Sequence, residues 1–445
     1  MRNRDLGLIA WSMIVCFSTD AAAVGFALEH QSVSNLGYAF AGGAANAEDA
    51  STIYWNPAGM SRLPRRQGVL GLNAIYGSAR FSDQGTTSPA GPAFPITGGD
   101  GGNPVGLNWV PNLYYATDIA PRLKAGIGIN SPFGLKTEYP ADWIGRYHAI
   151  DSVLKSLNIN PSIAWKVRDG LALGGGLNLQ YFDAEISNAI DFGAACFGSA
   201  FGPAACTAAG ITPQTKDGIA KVSGDSWGLG WNVGALFEIT PAARLGIAYR
   251  SSIKHEVKGR ATFENPALPG AFAALTAGAQ DTGARSTIKT PDMFSVSIYS
   301  EVNPKWTLLG DLTWTGWSKF KELRVRFDNG SPDAVTPANW RNTVRLSLGA
   351  GYKVDDRWTL RGGIAYENSA IRDEFRGPRI PDNAHTLLGL GFNYKVSKAG
   401  SLDFGYMHAF VKDAPVNIST PSAGTLVGSY EVRADVLSIQ YNHTF

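Results

Sequence analysis

From Gly68 to the C-terminus, apolar and polar residues alternate with a period of two, in segments of about ten to twenty residues. Such segments are strands whose two faces meet different surroundings. In Trp306 to Phe320, the clearest case, Trp306, Leu308, Leu312, Trp314 and Phe320 share one parity, and Thr307, Asp311, Thr313, Thr315 and Lys319 the other. The last strand sets Leu437, Ile439, Tyr441 and Phe445 against Ser438, Gln440, Asn442 and Thr444. Separators fall into two length classes: short turns at 119–121, 168–170, 240–242, 303–305, 355–356 and 397–400, and long loops near 83–104, 132–151, 191–218, 263–286, 328–339, 371–383 and 413–428. The two classes alternate, which predicts an all-β, antiparallel transmembrane barrel of about 14 strands with both termini on the short-turn side. A soluble sandwich or propeller also alternates, but accounts for neither the turn asymmetry nor a terminal aromatic.

Two N-terminal stretches lack this period. Residues 1–23 carry Arg2 and Arg4, an apolar run from Leu6 to Phe17, and Ala21-Ala22-Ala23, the anatomy of a secretory signal peptide cleaved before Val24. Residues 24–64 are rich in Gly and Ala, with Phe26, Leu28, Tyr38, Phe40, Ile53, Tyr54 and Trp55 as apolar anchors. A segment so short builds no core alone, so it is expected to fill the barrel of residues 65–445 as a plug.

Composition narrows the class. The chain has 445 residues, 44% of them hydrophobic, yet no second apolar run is long enough for a spanning helix. The 52 glycines suit crowded inner walls, and 12 tryptophans, 16 tyrosines and 21 phenylalanines suit interfacial girdles. A net charge of +2 points to no nucleic acid and no acidic surface partner. Two cysteines follow the leader, Cys196 and Cys206, and an oxidising exported compartment favours pairing them over a metal or redox role. Closing so short a loop removes denatured-state entropy worth about 2 to 3 kcal/mol.

Several motifs bear a family likeness. Val24-Gly25-Phe26 with Leu28, Leu36-Gly37, Glu48-Asp49-Ala50 and the closing Asn56-Pro57-Ala58-Gly59-Met60 resemble the hatch of the FadL family of outer-membrane transporters for hydrophobic compounds. The likeness continues in Asn130-Ser131-Pro132-Phe133-Gly134-Leu135, Trp143-Ile144-Gly145-Arg146-Tyr147, Trp317-Ser318-Lys319-Phe320 and Arg379-Ile380-Pro381-Asp382. It implies a monomeric outer-membrane barrel that contacts outer-membrane lipid and lipopolysaccharide and passes fatty acids or aromatic hydrocarbons without a cofactor. It also implies that Val24, Gly25, Phe26, Asn56, Pro57 and Ala58 gate the path, and that a kink at Asn130, Ser131 and Pro132 opens the wall sideways. Pro132, which cannot donate a ladder hydrogen bond, has a second reading as a simple strand end.

Parity places Arg341, Arg345, Lys353, Arg357 and Arg361 in the lumen beside Asp311 and Lys319. Arg345 and Arg361 fall mid-strand, where a guanidinium fork can hold a carboxylate; the alternative is a charge ladder bracing the wall with Asp311 and Glu367. Lys319 and Arg146 join them as ligand candidates, with Arg250 and Arg379 near loop ends. Two loops carry apolar residues, Phe197 and Phe201 in one, Leu268 and Phe272 in the other. Exposed, they form the capture surface that the family likeness implies; the alternative is that they only pack on each other. Long-chain fatty acids are the favoured substrate, with neutral aromatic hydrocarbons as the alternative and a porin, an adhesin-like barrel or a surface lipase as competing classes. Gly224-Asp225-Ser226-Trp227-Gly228 matches a nucleophile motif, but inside a strand rather than at a strand-to-helix turn, so no enzyme is expected. The six histidines are scattered and predict no metal site.

Overall fold

The computed structural model describes residues 25–64 and 66–445. The leader reading, the cleavage point and the gating candidate Val24 lie outside the described residues. Fourteen wall strands run through the described residues: β1 (Arg66–Asp83), β2 (Gly106–Ala120), β3 (Leu123–Asn130, continued by Gly134–Glu138), β4 (Asp151–Arg168), β5 (Leu171–Asp191), β6 (Asp217–Thr240) and β7 (Ala243–Arg250, continued by Lys254–Glu264). They are followed by β8 (Thr282–Lys289, continued by Met293–Glu301), β9 (Trp306–Thr315, continued by Glu322–Phe327), β10 (Thr343–Lys353), β11 (Trp358–Glu367), β12 (His385–Lys395), β13 (Gly400–Val411) and β14 (Gly424–Thr444). Each pairs antiparallel with the next, and β1 closes on β14 from Gln67↔Thr444 to Asp83↔Gly428. Closure removes the sheet edges that would otherwise expose unpaired peptide groups to lipid.

The alternation becomes two surfaces. Leu72, Trp109, Ile163, Leu229, Leu308 and Leu348 project outward and are exposed, whereas Asn73, Asn112, Asn158, Asn178 and Asn232 are buried inside. Several inner amides bond one another, as in Asn158 Nδ2 to Asn178 Oδ1 at 3.1 Å and Asn160 Nδ2 to Asn232 Oδ1 at 3.0 Å. No described helix is long and apolar enough to cross a membrane.

Toward the long-loop end, β3, β7, β8 and β9 are each interrupted, and the break in β9 corrects two expectations. A turn at Gly316, followed by a 3-10 helix over Trp317–Lys319, breaks the period of two. Phe320 therefore turns into the barrel, 5.8 Å from the Phe26 ring, rather than outward with Trp314. Lys319 pairs instead with Asp292 at 2.6 Å, which also accepts from the Tyr249 hydroxyl, so it is not a lumen residue facing ligand. Lys353 and Arg357 are likewise exposed at the short-turn rim.

Residues 25–64 occupy the interior. Val33–Leu36 forms one helical turn capped by Ser32, and Pro57–Arg62 forms a 3-10 helix. Asn56 caps the latter: its Oδ1 accepts from Ala58 N at 3.0 Å, and Pro57 supplies the fixed φ of a first helical residue. The Asn56 amide also donates to Ala44 O at 2.7 Å and to Ala235 O of β6 at 3.0 Å, fastening the segment to the wall. Leu36, Phe40, Ile53 and Met60 pack with Val69, Ile75, Val110 and Tyr114 of β1 and β2.

Candidate functional site

At the long-loop end, β4 to β9 draw away from the inner segment and leave an apolar cavity. Leu154, Val222, Val257, Ile288 and Val325 form its wall, Phe26 and Leu135 one side, and Ile380 part of its cover. Strand parity supplies this lining: the aliphatic residues sit at inward positions near the strand ends, with the small Ser152, Gly224 and Ser286 at the same parity. An apolar chain entering the cavity gains about 0.8 kcal/mol per buried CH₂.

Among the described residues, one cation borders this apolar volume without making an ion pair. Arg379, on the loop between β11 and β12, donates from Nη1 to Asp151 O at 2.9 Å and Ser152 Oγ at 3.0 Å. Among the described residues it makes no ion pair. Burial draws its guanidinium down to about 10, which leaves it cationic at neutral pH. The other arginines considered are engaged. Arg146 donates to Asp217 at 2.9 Å. Arg250 lies over the Tyr54 ring and donates to Tyr54 O at 2.8 Å.

Arg345 and Arg361 correct the carboxylate-clamp expectation. Arg345 is paired with Glu29 of the inner segment, with Asp311 of β9 at 3.9 Å. Arg361 is paired with Glu48 of the inner segment and Asp403 of β13. Both side chains are at most 1% exposed, so each bridges segment to wall and neither presents a free guanidinium to the cavity. Parity alone had no way to reveal those partners, because Glu29 and Glu48 lie in a stretch without a period.

A second, smaller cavity adjoins the first across the start of the inner segment. Gly25, Val105, Lys136, Thr137 and Asp382 line it, and it shares Leu135 and Ile380 with the larger one. Phe26 divides them. Its ring sits in an aromatic cage, 4.8 Å from Trp317, 5.7 Å from Trp340 and 5.8 Å from Phe133. Gly25 permits the approach: a Cβ there would lie 2.5 Å from the Trp340 ring, and its φ of 66° is in the left-handed region. Trp317 and Trp340 were not singled out as site residues from sequence, since an aromatic near a strand end reads equally as girdle.

The smaller cavity abuts a discontinuity in the wall. Pairing of β2 with β3 starts at the short-turn end and stops at Leu113↔Ile129, and after the break at Ser131–Phe133 the upper half of β3 pairs only with β4. Gly106–Asn112 of β2 thus have a strand partner on one side only, β1. The break is held from within. Leu28 N donates to Pro132 O at 2.8 Å, Gly134 N to Phe26 O at 2.9 Å, and Gln31 Nε2 to Ser131 O at 2.7 Å. Ser156 receives Phe133 N at 2.9 Å, while Asn130 donates to the Tyr114 hydroxyl at 3.1 Å. Several polar groups at the kink therefore meet partners on the inner segment or a neighbouring strand, while the edge of β2 over residues 106–112 stays without a strand partner.

Above the cavity the two apolar loops meet. Phe197, Phe201, Leu268 and Phe272 surround Cys196, Cys206 and Ile211, with Phe201 and Phe272 centroids 4.5 Å apart, and remain partly exposed. Cys196 and Cys206 form a disulfide. Ser226 lies within β6 opposite Phe182, its Oγ 3.2 Å from His255 Nδ1, whose Nε2 contacts Gln180 at 2.9 Å. The amide in the third position carries no charge to stabilise an imidazolium, and the serine is not on a strand-to-helix turn. Among the described residues no group of three His, Cys, Asp or Glu could hold a metal ion.

Comparison with known proteins fits this geometry. A family model described as outer membrane protein transport protein (OMPP1/FadL/TodX) matches residues 14–445. The long-chain fatty acid transport protein of Escherichia coli K12 is 32% identical over 438 residues, spanning 94% of this chain and 95% of that protein. Outer membrane protein P1 of Haemophilus influenzae is 28% identical over 437 residues, spanning 94% and 92%. Among solved structures, a Pseudomonas aeruginosa FadL homologue has a TM-score of 0.84 at 25% identity, covering 94% of this chain and 99% of that one. The Pseudomonas putida toluene transporter TodX, with a TM-score of 0.67 at 18% identity over 89% and 94%, shares the fold. The chain therefore belongs to the OMPP1/FadL/TodX family, outer-membrane β-barrel transporters of hydrophobic compounds rather than enzymes.

Proposed function

We propose that this transporter takes up long-chain fatty acids, binding the chain in the large apolar cavity with the carboxylate on Arg379. The observation that carries the reading is that guanidinium: a half-buried cation bordering an apolar cavity and making no ion pair among the described residues. Such an arrangement costs stability unless an anion completes it. A neutral aromatic hydrocarbon would use the same lining but gain nothing from the charge, and the E. coli relative named for long-chain fatty acids weighs on the same side. Substrate adsorbs first on the apolar cluster of Phe197, Phe201, Leu268 and Phe272, then partitions into the cavity. Displacement of Gly25 and Phe26 joins the two cavities and opens the way to the unpaired stretch of β2. Asn56, Pro57 and Ala58 hold the far end of the hatch while its start moves. The process is downhill diffusion, and the protein's contribution is kinetic.

Equilibrium binding to the detergent-purified protein tests this with three ligands: a long-chain fatty acid, its methyl ester and toluene. The acid is expected to bind most tightly. Arg379→Gln should weaken the acid by about 10- to 100-fold, the worth of a hydrogen bond to a charged group, and leave the ester within about twofold. Equal affinity of acid and ester for the unaltered protein overturns the reading in favour of a neutral hydrocarbon.

A further inference from the structure

We propose that the outer face of β7, β8 and β9, toward their long-loop ends, is a docking surface for a phosphorylated glycolipid of the outer leaflet, with Lys258, Arg260 and Lys289 as its phosphate-binding cations. The proposal is independent of which hydrophobic compound the barrel passes.

The surface is marked by like charges set opposite one another. In the upper halves of β7 and β8, Lys254 stands directly across from Lys289, and four residues further up Lys258, Arg285 and Arg326 form one row across three strands. All five are exposed on the outside, while Val257, Ile288 and Val325 between them turn into the barrel. Opposed side chains of a sheet have Cβ atoms about 4.5 to 5.5 Å apart, and like charges so placed destabilise the pairing. Three of these cations have a carboxylate: Lys254 meets Glu256 at 2.6 Å, Arg285 meets Asp328 at 3.0 Å and Arg326 meets Asp333 at 3.8 Å. Lys258, Lys289 and the equally exposed Arg260 make no ion pair among the described residues.

The excess of cations is confined to one sector of the wall. Toward β5 the row changes sign, since Lys258 lies opposite Asp225 of β6 and Asp225 opposite Asp183 of β5. On the other flank, the outward residues near the upper ends of β10, β11 and β12 are Val344, Tyr366 and Leu388.

What lies below the cations selects the occupant. Tyr249, Phe294 and Trp314 form an outward row across the lower halves of the same three strands, with the Trp231 ring 5.2 Å from that of Tyr249. Such rings mark the boundary between hydrocarbon and headgroups. Beneath them the wall is apolar and exposed at Ile298 and Leu312, a surface for acyl chains that a soluble polyanion would leave unused. The two cation rows are four residues apart, about 13 Å along the strands, so one small anion does not serve both. A sugar headgroup bearing several phosphates does, and its anions relieve the repulsion between the opposed cations.

The test is equilibrium binding to the full chain, purified in a nonionic detergent. The probes are a bis-phosphorylated lipid A, the same lipid stripped of its phosphates, and heparin as a soluble polyanion. The unaltered protein should bind the phosphorylated lipid more tightly than either of the others. The variant carrying Lys258→Gln, Arg260→Gln and Lys289→Gln should weaken that lipid by about 100-fold, about fivefold for each cation removed, and leave the stripped lipid unchanged. Because these changes also relieve opposed like charges, the thermal midpoint in lipid-free detergent should rise. Lys353→Gln with Arg357→Gln, at the exposed short-turn rim, is the control and should leave every affinity unaltered. Equal affinity for the two lipids, tighter binding of heparin than of the phosphorylated lipid, or an equal loss in the rim variant overturns the proposal. So does a lowered midpoint in the triple variant, which would make the cations braces of the wall.

Discussion

Replacing Arg361 by alanine is expected to lower the unfolding free energy of the barrel by about 3 to 5 kcal/mol, the usual cost of stranding a buried charge. Arg361 is the sole cation between Glu48 of the inner segment and Asp403 of β13 among the described residues, and Asp403 is 1% exposed. Without it two carboxylates face each other with only amide donors nearby, Asn393 Nδ2 at 2.9 Å and the Asn442 and Gln440 amides. Arg345→Ala should act in the same direction through Glu29 and Asp311. Urea titration of the folded protein reads the loss. Combining Arg361→Ala with Glu48→Gln separates the bridge from the stranded charge: the double variant should recover part of the loss, since one of the two orphaned charges is gone. A change below about 1 kcal/mol for Arg361→Ala would mean that the bridge is solvated like a surface pair.

Gly246→Val combined with Gly363→Val should open an ion-conducting path through a barrel that still assembles. These glycines are where the wall touches the backbone of the inner segment. A Cβ at Gly246 would lie 1.9 Å from Ala44 O, and one at Gly363 2.0 Å from Tyr38 O. Neither contact relaxes by rotating a side chain, because the obstruction is main chain on both sides. Both positions lie in regular strands, Gly246 opposite Leu236 and Ser297, Gly363 opposite Gly349 and Gly389, so β-branched residues suit the wall itself. The steric conflict falls on residues 38–45, which are expected to lift from the wall. Steady conductance in planar bilayers, with new protease sensitivity within residues 25–64, is the expected result. An unchanged, closed barrel would show that the inner segment shifts within the lumen without unblocking it.

The barrel was legible because a strand's period of two is a local property. Which residues of β14 face lipid follows from spacing alone, and Leu437, Ile439 and Tyr441 are exposed while Ser438, Gln440 and Asn442 are buried. Turn lengths likewise gave the number of strands and the side on which β1 begins and β14 ends. Parity failed where a strand is interrupted. The one-turn insertion at Trp317–Lys319 carries no signal in a period of two, so Phe320 and Lys319 were assigned to the wrong faces. The interior of the site was less legible still. Arg345, Arg361 and Arg379 all read as arginines in or near a lumen. Their roles diverge because Glu29 and Glu48, hundreds of residues away in sequence, reach two of them and not the third.

By itself, then, the sequence determined the container: an alternating wall, short and long connections in turn, glycines where something must approach the wall closely, and an aperiodic segment with nowhere else to pack. Those features rest on backbone geometry and on partition between lipid and lumen, which act residue by residue. Only the tertiary structure decided that Arg379 borders the apolar cavity without an ion pair among the described residues, that Phe26 lines that cavity from an aromatic cage, and that Asp382 receives Gly25. These are pairings between groups distant along the chain, and the energy of a charge or a cavity depends on what surrounds it in space, not on its neighbours in sequence.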